Sequence, residues 1–246
     1  MTCLPELKRH KQYGHNPSQD KRRQELDVMN ETVLLSGAIP DLLFLGDSLT
    51  QRWELGAWLH MHPGLVLNRG VGGDTSAMLL ERFEVDVLQL RPRWVVIEAG
   101  VNDTWVLDGH GTETERADVR GVAERIRLHM ENMVQTAVEH GIRVILGSIP
   151  PTGEVAWAPS LMRRNQVILQ ANEKLRAYCR QMQVPLADYH AAMVDSDGVT
   201  LRENLASDGI HPNGRGYGIM AGVMSALLKQ IDWEGSLKTR GGNTAS

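Results

Sequence analysis

The sequence predicts an α/β fold in which a five-stranded parallel sheet is covered by helices on both faces. Five short apolar runs are continuous rather than alternating, as expected of strands that are buried on both sides. Longer amphipathic stretches separate these runs, and strands that alternate with helices favour a parallel sheet. The predicted strands are residues 41–45, 65–68, 94–99, 143–147 and 184–187.

The amphipathic stretches have the apolar spacing of helices that lie on such a sheet. They are residues 19–36, 116–139, 160–182 and 217–231. No change in composition marks a second domain, so we expect one domain over residues 19–233, preceded by an N-terminal arm at residues 1–18. Residues 234–246 are small and polar, which predicts a disordered tail.

Composition and charge argue against several classes of protein. The net charge is −4 and the pI is about 6.1, which argues against nucleic acid as a partner. The two cysteines, Cys3 and Cys179, are too few for a disulfide framework. The sequence contains no apolar leader and no apolar run of membrane length, so we expect a cytoplasmic protein without a membrane span. The oligomeric state stays open, and a homo-oligomer is compatible with the sequence.

Four polar or glycine-containing segments follow predicted strands or lie in a late loop. They are residues 46–48, 70–74, 100–103 and 208–211. In open parallel sheets, ligands bind beyond the carboxyl ends of the strands. The first three segments follow the first three strands directly, so this edge of the sheet is where we expect the functional site.

Ser48 is the candidate nucleophile among these residues. It follows the first predicted strand, and its backbone N–H would lie near a helix N-terminus, which favours developing negative charge. A serine in this position is also a common helix N-cap, and that alternative stays open. The segment lacks the Gly-x-Ser-x-Gly pattern, so it does not predict an α/β-hydrolase elbow.

His211 is the candidate base, because a serine hydroxyl needs one to act as a nucleophile. Asp208 precedes it by three residues, a spacing that can bring a carboxylate to one imidazole nitrogen. The carboxylate would fix the tautomer and stabilise the imidazolium. The alternative is that Asp208 caps a helix that begins near Pro212.

Candidate oxyanion donors lie in the second and third segments. Gly72 and Gly73 have no side chain, so either can bring a backbone N–H close to a ligand. Asn102 offers a side-chain NH2, and the N–H of Ser48 makes a third donor. A tight turn at the glycines and an Asx-turn at Asn102 are compatible alternatives. No Gly-Lys-Ser/Thr follows, which excludes a P-loop.

Taken together, these segments resemble the four sequence blocks of the SGNH hydrolases, also called the GDSL esterase/lipase family. The blocks read GDSLT at 46–50, GVGGDTS at 70–76, GVNDTW at 100–105 and DGIHPN at 208–213. Each block alone has low specificity, whereas four in order and at fitting distances are highly specific. The resemblance implies a flavodoxin-like three-layer α/β/α fold and a serine esterase that needs neither a metal nor an organic cofactor.

The resemblance also implies a role for each matching residue. Ser48 would be the nucleophile, His211 the base and Asp208 the residue that orients it. The oxyanion hole would consist of the N–H groups of Ser48 and Gly73 and the side chain of Asn102, with Gly73 chosen because the family's glycine immediately precedes the aspartate of its block. Three aspartates at family positions are expected to brace the loops by hydrogen bonds, namely Asp47, Asp74 and Asp103.

The substrate is a small-molecule ester whose acyl length depends on two loops, residues 104–112 and 150–159. Trp105 and Trp157 lie there and would either line the substrate pocket or only pack their loops. Neither loop is rich in large aliphatic residues, and the chain has only two Phe, which favours short acyl groups. We therefore expect an acetyl esterase acting on O-acetylated sugars or platelet-activating-factor-like esters. A lysophospholipase or thioesterase, an acyltransferase and a non-catalytic binding protein are the alternatives.

Overall fold

Five parallel strands form the centre of the computed structural model, which describes residues 7–12, 16–60, 62, 64–109, 118–231 and 233. The order across the sheet is β2-β1-β3-β4-β5. The predicted five-stranded parallel sheet is confirmed, although β5 is shorter than expected because Pro185 has no N–H to pair. The strands are β1 (Leu42–Gly46), β2 (Val66–Gly70), β3 (Trp94–Glu98), β4 (Arg143–Gly147) and β5 (Leu186–Ala187).

Helices cover both faces of this sheet. Four of them correspond to the predicted helices, and four are short helices at loops and strand ends. The last one begins at Gly214, earlier than predicted, because the Asn213 side chain accepts from the backbone N–H groups of Arg215 and Gly216. The helices are α1 (Pro17–Ser36), α2 (Ser48–Gln51), α3 (Leu55–Trp58), α4 (Ser76–Glu81), α5 (Val119–Glu139), α6 (Leu161–Met182), α7 (Tyr189–Met193) and α8 (Gly214–Gln230).

The expected boundaries of the domain fall partly outside the described residues. Residues 116 and 117, where the second long helix is predicted to begin, and the predicted tail at 234–246 both lie outside them. Of the expected arm, residues 7–12 lie against the domain, where the backbone N–H of Lys8 donates to Gln89 Oε1 at 3.0 Å. The arm ends at Asn16, whose side chain accepts from Ser18 N and caps α1.

Alternate side chains of the strands enter two separate cores, one on each face of the sheet. Leu43 and Ile97 pack with α5 and α6, whereas Phe44 and Val96 pack with α8 and its neighbours. All four side chains are at most 1% exposed, and burial of each contributes about 2 kcal/mol. The two cores make the three-layer α/β/α arrangement that the resemblance implies.

The carboxyl ends of the neighbouring strands β2, β1 and β3 lie side by side. Gly46 of β1 is in register with Gly70 of β2 and with Glu98 of β3. At Gly70 a Cβ atom would lie 2.2 Å from the backbone N of Gln51, so only glycine lets α2 pack this closely on the end of β2. The loops after these strands therefore meet at one edge of the sheet, with α2 seated among them.

Candidate active site

Three side chains from distant parts of the chain form a continuous hydrogen-bonded row at this edge. Ser48 Oγ lies 2.9 Å from Nε2 of His211. The other imidazole nitrogen of His211, Nδ1, lies 2.6 Å from Oδ2 of Asp208. Because both ring nitrogens are engaged, the carboxylate fixes the imidazole tautomer that leaves Nε2 free to accept the serine proton.

The Asp208 carboxylate is held by its own loop as well as by His211. Its Oδ1 accepts from the backbone N–H groups of Ile210 at 3.0 Å and His211 at 2.8 Å. Partial burial raises the pKa of Asp208, but the hydrogen bonds from His211 and the loop outweigh it and lower this pKa to about 2. Asp208 does not cap α8, since Asn213 occupies that position.

Ser48 is the first residue of α2 rather than its N-cap. Asp47 is the cap, and its Oδ1 accepts from the N–H of Leu49 at 2.8 Å. Ser48 is 9% exposed, so its hydroxyl is nearly enclosed yet open toward the cavity described below. No acceptor lies at the backbone N–H of Ser48 among the described residues.

The two glycines of the second block differ in whether their backbone N–H groups have an acceptor. Gly72 donates its N–H to Oε1 of Gln51 at 2.6 Å, so this donor is already occupied. Gly73 has a φ of +84°, a conformation that favours glycine, and the described residues offer no acceptor for its N–H. Gly73 and Ser48 line the same cavity.

Asn102 reaches this cavity from the end of β3. Its Nδ2 donates to the backbone oxygen of Asp74 at 2.9 Å and makes a longer contact of 3.3 Å with Oδ2 of Asp47. Its Oδ1 accepts from the indole Nε1 of Trp105 at 2.9 Å. The amide is therefore oriented with its NH2 group toward the loops that carry Ser48 and Gly73.

The Asp74 carboxylate is fully buried and anchors the second block to α1 and α4. It accepts from Arg23 at 2.6 Å, from Arg82 at 2.7 Å and from Gln19 at 3.0 Å. Burial of a carboxylate is tolerated here because two guanidinium groups pair with it. The polar buried face of α1 thus holds the loop that contains Gly73.

Asp103 joins the third block to the start of α4. Its two carboxylate oxygens accept from Ser76, one from the backbone N at 2.9 Å and one from Oγ at 2.5 Å. Asp103 therefore contacts α4 rather than the cavity, and its hydrogen bonds connect the loop of Asn102 to the loop of Gly73.

Two buried acids, Asp47 and Glu98, lie at the carboxyl ends of β1 and β3. Burial raises the pKa of Asp47 to about 7, and burial together with the nearby Asp47 charge holds the pKa of Glu98 well above its usual range. The Glu98 carboxyl oxygens have no hydrogen-bond partner among the described residues. Burial therefore favours the neutral form of this carboxyl, because a charged form would be buried without a partner.

Trp105 and Trp157 both lie at the cavity, but Trp105 is half-buried and Trp157 is exposed. Trp105 lies in a 3-10 helix, Asn102–Asp108, where the sequence analysis expects a loop, while residues 110–112 of that loop lie outside the described part of the chain. The Trp105 ring is half-buried between the Arg164 guanidinium, 4.4 Å from its centroid, and the Trp157 ring at 4.9 Å. Trp157 is 58% exposed at the cavity mouth. Both therefore line the cavity, and Trp105 also contacts Asn102.

The cavity has a volume of about 400 Å³ and joins the residues above. Four further residues line it that the sequence analysis does not identify: Asn16, Ser18, Gln51 and Arg52. Gln51 and Arg52 follow Ser48 by three and four residues, so helical spacing is the signal that points to them. No local signal in the sequence brings the start of α1 to this cavity.

Two kinds of feature are absent from the described residues. No group of three or more His, Cys, Asp or Glu side chains there is arranged to hold a metal ion. No described helix combines the length and apolarity that a bilayer crossing requires.

Comparisons with known proteins agree on one family. Residues 44–219 match the GDSL-like Lipase/Acylhydrolase family, a range that includes every predicted site residue. The platelet-activating factor acetylhydrolase IB subunit alpha2 of Rattus norvegicus is 28% identical over 198 residues, which are 78% of this chain and 77% of that protein. An acetylxylan esterase of Geobacillus stearothermophilus is 32% identical over 92 residues, which are 28% of this chain and 42% of that enzyme.

A solved structure agrees with the family match. The crystal structure of a GDSL-like lipase from Bacteroides thetaiotaomicron superposes with a TM-score of 0.70 at 25% identity, covering 85% of this chain and 97% of that one. Because the match at residues 44–219 spans well over half of the chain, this protein belongs to the GDSL-like lipase/acylhydrolase family, the SGNH hydrolases, and is a serine ester hydrolase.

Proposed function

We propose that the protein hydrolyses esters of short acyl groups, acetyl above all, with Ser48 as nucleophile, His211 as base and Asp208 as the residue that orients the base. The observation that supports these roles is the hydrogen-bonded row in which Ser48 Oγ lies 2.9 Å from His211 Nε2 and His211 Nδ1 lies 2.6 Å from Asp208. In catalytic triads this arrangement of nucleophile, base and acid activates the serine.

In the first step, Ser48 Oγ attacks the ester carbonyl while its proton passes to His211 Nε2. The imidazolium that forms is stabilised by the Asp208 carboxylate, which keeps its charge because its pKa is about 2. The tetrahedral intermediate then collapses, and the alcohol leaves with the proton from Nε2. The acyl group is now bound to Ser48 as an ester.

The oxyanion of the intermediate is stabilised by the N–H groups of Ser48 and Gly73 and by the Asn102 side chain. The N–H groups of Ser48 and Gly73 have no acceptor within the described protein, so they can bind the oxyanion without first breaking another hydrogen bond. The Asn102 hydrogen that makes the longer 3.3 Å contact with Asp47 is the one that the oxyanion would attract. A water activated by His211 then attacks the acyl-enzyme and releases the acid.

The preference for a short acyl group rests on the cavity and on the relatives. The cavity of about 400 Å³ is lined mainly by polar side chains and glycines, with Trp105, Trp157 and Ile210 as its large apolar residues. A long acyl chain would need an extended apolar groove, which this lining does not provide. Two relatives are named as an acetylhydrolase and an acetylxylan esterase, so acetylated sugars and platelet-activating-factor-like esters are the substrates to test first.

The experiment compares Ser48→Ala with Ser196→Ala, a matched control in an exposed loop. Hydrolysis of p-nitrophenyl acetate and covalent labelling by a fluorophosphonate should both be lost in Ser48→Ala, with kcat falling by roughly 10⁴ to 10⁶. Both should persist in Ser196→Ala, and the two variants should unfold at the temperature of the parent. Labelling of Ser48→Ala at the parental rate would refute Ser48 as nucleophile.

A series of p-nitrophenyl esters of rising chain length tests the acyl preference. We expect kcat/KM to be highest for acetate and to fall as the chain lengthens. A maximum at eight or more carbons would replace this proposal by the longer-chain alternative. Transfer of the acetyl group to an added alcohol in preference to water would replace hydrolysis by acyl transfer.

A further inference from the structure

One wall of the active-site cavity carries a positive charge that forms no ion pair with a described residue. Of the cavity's lining residues none is acidic, and Arg52 is the one whose side chain is permanently charged. His211 also lines the cavity, but both of its ring nitrogens are already bonded to Ser48 and Asp208. The side chains of the remaining lining residues carry no ionisable group. The cavity therefore presents a cation without an ion-pair partner in the same lining as the reacting serine.

The Arg52 side chain is exposed and forms no ion pair with any described residue. Other arginines of the protein differ in this respect, since Arg82, Arg164 and Arg176 each pair with an aspartate at 2.7 to 2.9 Å. A guanidinium has five N–H donors in a planar fork that matches a carboxylate or a phosphate. In Arg52 these donors face solvent in the cavity.

The position of Arg52 is fixed by the same short helix that carries Ser48. Residues three and four apart share one face of a helix, so Gln51 and Arg52 project on the side of the nucleophile. The backbone N–H of Arg52 donates to the backbone carbonyl oxygen of Ser48 at 3.1 Å. The close approach of Gly70 to Gln51 holds this turn against β2. The guanidinium is therefore tethered to the reacting centre by one helical turn.

Further donors surround this cation. Gln51 accepts from Gly72 through Oε1, which leaves its NH2 group without a partner in the described chain. Asn16 likewise accepts from Ser18 through Oδ1, and its NH2 group, at the same cavity, has no partner among the described residues. Asn16 also caps the 20-residue helix α1, whose N-terminal dipole favours a negative charge nearby.

We infer that Arg52, Gln51 and Asn16 form a subsite for an anionic group, a carboxylate or a phosphate, on the alcohol part of the ester. This inference rests on the proposed function, because an acetyl group has no room for a further charge and the anion must then belong to the alcohol. The physiological substrate is accordingly an acetylated acid or an acetylated phosphate monoester, such as the acetyl ester of a sugar acid or of a sugar phosphate. The anionic group binds and orients the substrate and takes no part in bond breaking.

Matched aryl acetates test this inference with purified full-length protein. The probes are para-acetoxybenzoate, its neutral counterpart para-acetoxybenzamide, and para-acetoxyphenyl phosphate, with acetate release as the readout. We expect the unmodified protein to prefer both anionic probes, chiefly through a lower KM. The preference should shrink as salt rises, since salt screens an exposed cation. The carboxylate and phosphate probes show which of the two anions the subsite prefers.

The variants are Arg52→Gln and, as a matched control, Arg180→Gln at the exposed end of α6. In Arg52→Gln the ratio of kcat/KM between an anionic probe and the neutral probe should fall by about tenfold, the effect of one charge-assisted contact. In Arg180→Gln the ratio should stay as in the parent. Arg52→Glu should reverse the preference. Comparing ratios cancels the different reactivities of the leaving groups.

The possible failures are separable. If the neutral probe is hydrolysed in a Ser48-dependent manner but the parent shows no preference for either anion, the Arg52 subsite is refuted and the proposed function stands. An Arg52→Gln ratio equal to that of the parent refutes it as well. If no probe is hydrolysed in a Ser48-dependent manner, the proposed function itself fails. A thermal melt of each variant verifies that it is folded.

Discussion

The indole Nε1 of Trp105 donates a hydrogen bond of 2.9 Å to the side-chain oxygen of Asn102. This bond determines which end of the Asn102 amide faces the loops of Ser48 and Gly73, because the oxygen is held by the indole and the NH2 group must point the other way. The Trp105 ring is in turn fixed by Arg164 on one side and Trp157 on the other. Trp105 thus orients Asn102.

Trp105→Phe should therefore slow the reaction without weakening substrate binding in proportion. The variant keeps an aromatic ring but loses the N–H, so the Asn102 amide can rotate and its NH2 group is less often aimed at the oxyanion. Loss of an entire oxyanion donor costs about 10²- to 10³-fold in kcat, so a partial loss should cost roughly tenfold. Steady-state kinetics with p-nitrophenyl acetate measure this, and we expect KM to change less than kcat.

Trp157→Phe is the matched control, because it also removes an indole from the cavity but leaves the bond between Trp105 and Asn102 in place. Its kcat should stay closer to that of the parent. Equal losses in the two variants, or a loss confined to KM in Trp105→Phe, would contradict an orienting role for Trp105.

The sheet and the row of Ser48, His211 and Asp208 could be anticipated from the sequence for a physical reason. Continuous apolar runs are a local signal of buried strands, and parallel strands must bring their carboxyl ends to one edge. Residues placed directly after β1, β2 and β3 therefore lie at one edge of the sheet, and they meet because these three strands are neighbours. The four sequence blocks add the late loop that contains Asp208 and His211, which strand order alone does not place.

The other parts of the site depend on packing between segments that are distant in the sequence. Asn16 reaches the cavity because α1 lies beside the loop of Gly73, and the contact between Trp105 and Trp157 joins two loops. No periodicity or motif encodes such distances. Gln51 and Arg52 are the exception, since their helical spacing from Ser48 is visible in the sequence once α2 is known to begin there.

Arg82 pairs with two buried carboxylates, one of which follows Gly73 in the second block. Its replacement should destabilise the fold. Its guanidinium binds Asp74 at 2.7 Å, Asp86 at 2.6 Å and the backbone oxygens of Arg69 at 2.9 Å and Gly46 at 2.8 Å. Arg82→Met leaves two buried carboxylates short of a partner, which should cost about 3 kcal/mol of unfolding free energy. Urea unfolding measures this loss, and kcat should fall because Asp74 holds the loop of Gly73.

The matched control is Arg127→Met on the surface of α5, where Arg127 pairs with Glu124 and Glu131. This change also removes a doubly paired arginine, but the pairs are solvated and should contribute little to stability. If both variants lost a similar amount of unfolding free energy, burial would not make the ion pairs of Arg82 more stabilising than those of Arg127. If kcat were unchanged in a folded Arg82→Met protein, the Arg82 network would not be needed to hold the loop of Gly73 in its active position.

His10 joins the N-terminal segment to the domain through two carboxylates. Its side chain is 1% exposed, with Nδ1 2.6 Å from Asp27 and Nε2 2.8 Å from Asp86. Burial lowers the pKa of the imidazole, but the hydrogen bonds and charges of Asp86 and Asp27 outweigh it and raise the pKa above its ordinary value of 6.5. With a carboxylate at each nitrogen, the imidazolium is the form that satisfies both contacts.

This raised pKa predicts that the stabilisation by His10 depends on pH with a definite sign. A group whose pKa is higher in the folded state binds its proton more tightly there, so its contribution is complete below pH 6.5 and is lost as the pH rises through the folded value. His10→Gln should therefore lose about 2 kcal/mol of unfolding free energy at pH 6 and clearly less at pH 9. Urea unfolding of parent and variant at both values measures the difference. His60→Gln is the control, because among the described residues the exposed His60 side chain contacts the Ala57 carbonyl oxygen and no carboxylate. A loss in His10→Gln that is the same at pH 6 and pH 9 would mean that the imidazole acts as a neutral hydrogen-bonding group.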